Sequence, residues 1–150
     1  MSEHAWQSIL EPRSAPTNVL VLGSSGMVGR AWVQLLRSSG IEFMAVCRPQ
    51  FDLGDRASIE SCMQGSYDLV VNAAAWTDVD AAESDEAGAT RANAHAVQEI
   101  AVLSGAMGAT LISYSTDYVF SGSASRPYVI DAPIEPINAY GRSKALGEAP

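Results

Sequence analysis

The chain has 150 residues, 47% of them hydrophobic, enough to fill the core of one ordinary domain. Nine basic residues against seventeen acidic ones give a formal net charge of −8, which argues against nucleic acid or an anionic membrane surface as the main partner. No apolar run is long enough to span a bilayer, the N-terminal residues do not read as a signal peptide, and Cys47 and Cys62 lack the spacing of a metal site, so reduced thiols in a cytoplasmic protein are the expectation.

Residues 1–17 read as a polar, proline-containing tail, in which His4 and Trp6 have no assigned role. A single α/β domain is expected over 18–150. "NVLVL" (18–22) is a buried strand, and "MVGRAWVQLLRSSG" (27–40) is a helix stopped by glycine. "EFMAVC" (42–47) is a second strand and 55–65 a short helix. "DLVVNAAA" (68–75) is a third strand running into a loop. The acidic cluster Asp78, Asp80, Glu83, Asp85 and Glu86 reads as a solvated first turn of a helix, because it lacks the alternation and central glycine of a calcium loop. An alanine-rich helix follows over 89–108, then a fourth strand over 110–115, a long loop, and a helix over 139–148. Apolar strands alternating with helices predict a Rossmann-like, doubly wound parallel sheet covered on both faces.

The first chemical signal is "GSSGMVG", which places Gly23, Gly26 and Gly29 between a strand and a helix. A tight turn, close approach of backbone to a pyrophosphate, and free N–H groups at a helix start are what dinucleotide binding needs. The second signal is Tyr140-Gly-Arg-Ser-Lys144, which contains the chain's single lysine. Residues four apart on a helix share a face. A phenol's ordinary pKa, near ~10, is too high for ready proton donation at pH 7. An ammonium beside it favours the phenolate.

The GxxGxxG spacing resembles the extended branch of the short-chain dehydrogenase/reductase superfamily. "FDLGD" (51–55), "VNAAAWTDVDAAESD" (71–85), "YSTDYVFSGS" (114–123) and "PIEPINAYGRSKALGE" (133–148) resemble the dTDP-4-dehydrorhamnose reductases, over about residues 18–148. The resemblance implies reduction of the 4-keto group of dTDP-4-dehydro-L-rhamnose to dTDP-L-rhamnose. It implies Tyr140 as proton donor, Lys144 holding the nicotinamide ribose, and Thr116 hydrogen-bonding the substrate carbonyl, with Ser115 the neighbouring rival. Asp117 would contact substrate. Gly23, Gly26, Met27, Val28 and Gly29 would form the pyrophosphate turn. Asp52 and Leu53 would flank the adenine, and Ala75, Trp76 and Thr77 would line the ribose and nicotinamide side. "AVCRPQ" has no acid for a ribose 2′-hydroxyl but has Arg48, which suits a 2′-phosphate and so NADPH, with NADH the alternative.

Two departures stand out: Ile130 replaces a polar residue and Trp76 a smaller one. Family members are nearly twice as long, so a truncated sheet lacking the C-terminal substrate domain is expected. This chain alone is then expected to turn over weakly or not at all, and any homodimer would form through the part it does not contain. The alternatives are another sugar-nucleotide reductase, epimerase or dehydratase of the extended branch, or a non-catalytic NADP-binding subunit like the β subunit of methionine adenosyltransferase.

Overall fold

Asn18–Leu22 forms β1 of the computed structural model, which describes residues 15–148. Most of the expected tail, with His4 and Trp6, lies outside the described residues. Its last residue, Thr17, is tied to the fold: its N–H and its hydroxyl both donate to Asp68 Oδ2 at 2.8 Å.

Three more strands, β2 (Glu42–Val46), β3 (Leu69–Asn72) and β4 (Thr110–Ser113), complete a parallel sheet in the order β2-β1-β3-β4. Val19 of β1 faces Phe43 on one side and Leu69 on the other. Strand alternation sends Val19 and Val21 to one face, where they meet Leu36 and Val71. Leu20 and Leu22 go to the other face and meet Ile59, Val70 and Ile100. Each such side chain contributes about 1.5–3 kcal/mol when fully buried rather than exposed. These two apolar layers explain why β1 has no polar residue after Asn18.

The first face is covered by α1 (Met27–Ser39), through Trp32, Val33 and Leu36. The second is covered by α2 (Arg56–Cys62) and α5 (Ala96–Ala106), which are linked by an ion pair between Arg56 and Glu99 at 2.9 Å. Asp55 caps α2 by accepting from the Ala57 N–H. β3 stops three residues short of the expected end because Asn72 Oδ1 accepts from the Ala74 N–H and turns the chain. β4 likewise ends at Ser113 rather than at 115.

Between β3 and α5 the chain forms α3 (Val79–Ser84), α4 (Glu86–Thr90) and a π-helical turn (Arg91–His95). The helix expected from residue 89 therefore starts earlier and contains a π turn. Asp78 and Asp85 cap α3 and α4, as carboxylates at helix starts should. All five acids of the cluster are exposed, as a solvated cluster predicts, and two of them also reach across the fold. Glu83 accepts from the Ala139 N–H at 2.7 Å, and Glu86 takes Arg142 through two bonds of 2.7 and 2.9 Å. These acids clamp α6 (Ala139–Glu148), whose Ala139 is fully buried against Ala82 and Ala89. Partners 56 residues away leave no local mark in the sequence.

Candidate cofactor site and active site

The C-terminal ends of β1, β2 and β3 open on a cavity of about 680 Å³. Ligands bind at this end of open parallel sheets. Gly23 makes the turn after β1 at φ +81°, and a Cβ there would lie 2.8 Å from the Ala74 nitrogen. At Gly29 a Cβ would overlap the carbonyl oxygen of Gly23, so this glycine lets α1 seat against the loop. Gly26 caps α1 with no side-chain acceptor, and the first turn of the helix has no acid. The start of a thirteen-residue helix thus presents main-chain donors and a partial positive charge to the cavity. That is a cradle for a phosphate group.

The expected cofactor residues are largely gathered there. Gly23, Gly26, Met27 and Val28 form one wall. Arg48, Asp52 and Leu53 form a second, after β2, and Ala75, Trp76 and Thr77 a third, after β3. Gly29 is buried behind the first wall and is not among the lining residues. Arg48 Nε pairs with Asp52 Oδ2 at 3.0 Å, but with the Arg48 side chain 79% exposed the pair is weak and can open.

Tyr140, Lys144, Thr116 and Asp117 sit apart from the lining of this cavity. Trp76 links the two regions: it lines the cavity and packs against the alanine cluster that Tyr140 also contacts. The Tyr140 ring meets Tyr118 edge-on, with centroids 5.7 Å apart. Lys144 is 7% exposed, and its ammonium donates to the Tyr114 carbonyl at 2.5 Å. Burial pushes the Lys144 amine below the ordinary lysine value, and the carboxylate of Glu148 opposes that shift. Among the described residues, no hydrogen bond joins the Lys144 ammonium to the Tyr140 hydroxyl.

A second cavity, of about 210 Å³, brings Lys144 together with Asn93, Ser115 and Glu148. The Ser115 hydroxyl donates to the Glu148 carboxylate. Thr116 instead opens a short 3-10 turn at Asp117–Val119: its hydroxyl accepts from the Tyr118 N–H at 3.3 Å and donates to Asp117 Oδ1 at 3.2 Å. Ser115, not Thr116, therefore shares the lysine's cavity.

Two residues of this region escape a sequence reading. Asn93, 1% exposed in the π turn, holds the Trp76 segment and α6 together. Its Oδ1 accepts from the Trp76 N–H at 2.9 Å. Its Nδ2 donates to the Trp76 carbonyl at 3.0 Å and to Ser143 Oγ at 2.9 Å. The available signal is one amide in an otherwise alanine-rich "ANAHA". Arg91, in the same turn, lines the large cavity.

Residues 17–150 match the family model described as "RmlD substrate binding domain". A dTDP-4-dehydrorhamnose reductase from Burkholderia thailandensis is 44% identical over 133 residues, covering 87% of this chain and 44% of that protein. A dTDP-4-keto-6-deoxy-D-glucose reductase from Streptomyces niveus is 40% identical over 130 residues, covering 86% of this chain and 45% of its own length. Among solved structures, dTDP-4-dehydrorhamnose reductase from Bacillus anthracis in complex with NADP superposes with a TM-score of 0.83 at 29% identity. That match covers 91% of this chain and 49% of that one. The chain thus spans about half the length of the relatives it matches.

Proposed function

The chain belongs to the RmlD substrate binding domain family, and on that premise we propose that it is the cofactor-binding half of a dTDP-4-dehydrorhamnose reductase that uses NADPH. The observation that carries the reading is the uncapped start of α1 behind Gly23 and Gly26, open to the 680 Å³ cavity. It fits a pyrophosphate through main-chain donors and helix charge. The reduced nicotinamide supplies the hydride when bound.

The chain's own residues do the rest. Gly23, Gly26, Met27 and Val28 hold the pyrophosphate, and Gly29 brings α1 up to it. Asp52 and Leu53 flank the adenine. Arg48 takes the 2′-phosphate by leaving Asp52, which favours NADPH over NADH. Ala75, Trp76 and Thr77 line the path toward the nicotinamide. Tyr140 donates the proton to the ketone oxygen, Lys144 orients the nicotinamide ribose, and Thr116 and Asp117 hold the substrate. Trp76 supports this division, since its ring borders both the cavity and the cluster around Tyr140.

Titration of the chain with NADPH, read by energy transfer from tryptophan to the nicotinamide, tests the cofactor reading. Saturable binding is expected, and no transfer at millimolar NADPH would refute it. The chemistry is tested in a chimera carrying this chain in place of the corresponding half of the Burkholderia relative. Reduction of dTDP-4-dehydro-L-rhamnose is expected there, with at least a hundredfold loss (about 2.7 kcal/mol) in Tyr140→Phe. The unfused chain is expected to turn over weakly or not at all; robust turnover by it would contradict that view.

A further inference from the structure

We propose that Arg91 is a pyrophosphate-binding residue of the cofactor cavity, an assignment that rests on the dinucleotide reading above. Among the described residues lining that cavity, three are charged: Arg48, Asp52 and Arg91. Arg48 and Asp52 neutralise one another at 3.0 Å. Arg91 has no ion-pair or hydrogen-bond partner among the described residues and is solvent-exposed. A chain with a net charge of −8 thus keeps one uncompensated positive charge on the wall of this cavity.

The glycine loop has no free cation of its own. Arg30, the nearest in sequence, is folded back and donates to the Ser25 carbonyl at 2.6 Å. A pyrophosphate set against α1 carries two negative charges, and the helix start offers about half of one in return. Arg91 supplies the missing charge, and its planar fork suits adjacent phosphate oxygens.

The π turn is what brings it there. A π turn takes one residue more than an α turn, so the residues at its start are rotated by about 100° relative to α5. Asn93 of the same turn is locked between Trp76 and Ser143, which holds the turn in place. Arg91 and Ala92 then face the cavity while Ala96 and Ile100 enter the core.

The test compares the wild-type chain with Arg91→Leu, Arg91→Lys and Arg48→Ala, titrated with NADPH, NADH and adenosine 2′-monophosphate, with melting curves as a check on folding. Arg91→Leu should weaken NADPH and NADH by the same factor, about tenfold to a hundredfold. It should leave adenosine 2′-monophosphate, which has no pyrophosphate, unchanged. Arg91→Lys should recover part of the loss, whereas Arg48→Ala should weaken NADPH more than NADH. Unchanged dinucleotide affinity in Arg91→Leu, or a loss confined to NADPH, would overturn the assignment while leaving the cofactor reading intact. A wild-type chain that binds neither dinucleotide would remove the cofactor reading, and this assignment with it.

Discussion

Replacing Asn93 by alanine should both destabilise the chain and loosen its cavity. The amide makes three hydrogen bonds from a position 1% exposed. Ser143 keeps a partner after the change, because its hydroxyl also donates to the Tyr140 carbonyl at 2.7 Å. The Trp76 N–H and carbonyl do not. Each buried polar group left unpaired costs about 1–3 kcal/mol, and water entering from the cavity side offsets part of this, so about 2–4 kcal/mol is expected in total. For a domain of this size that corresponds to a melting temperature about 5–12 °C lower. Asn93→Asp keeps only the bond from the Trp76 N–H, so it should also be destabilised, with a deficit that shrinks as acid protonates its carboxyl. Melting curves and urea midpoints read the stability, and NADPH titration reads the wall carrying Trp76 and Thr77. An alanine variant melting within about 1 °C of wild type would refute the view that this side chain ties the third wall to α6.

Gly29→Ala should destabilise by about 1–3 kcal/mol and abolish NADPH binding, since its Cβ would meet main-chain oxygen that has no room to yield; calorimetry with a nucleotide titration checks both. The Arg142 guanidinium holds the Glu86 carboxyl below its ordinary value. That contribution to stability is present above the usual glutamate pKa and lost as pH falls through the lowered one. Urea midpoints of Glu86→Gln should therefore depend less on pH in the acid range than those of wild type. Lys144 has the opposite origin. Its lowered amine means the folded chain binds fewer protons than the unfolded chain between the lowered value and about 10.4. Stability should rise with pH across that window, and Lys144→Met should lose this rise. In the chimera described above, the same variant should lose reductase activity.

What could be read before folding was local. The βαβ alternation and the GxxGxxG turn follow from short-range sterics and hydrogen bonding, and the structure contains both. Of the cavity residues, Gly23, Gly26 and Arg48 were legible from their places after strands, whereas Asp52, Leu53, Ala75, Trp76 and Thr77 were marked only by the family resemblance. Strand ends were less legible, because a side-chain bond such as that of Asn72 to the Ala74 N–H competes with the ladder.

The tertiary structure alone decided the long-range matters. It decided that Glu83 and Glu86 clamp α6, that Asn93 bridges to Ser143, and that Ser115 rather than Thr116 shares the lysine's cavity. It also left Arg91 exposed on a cavity wall while Arg48, the cation the sequence singled out, is paired. The amino-acid order sets which groups can bond to near neighbours. Which of them meet across fifty residues depends on how the helices settle on the sheet, and burial then makes those few contacts decisive.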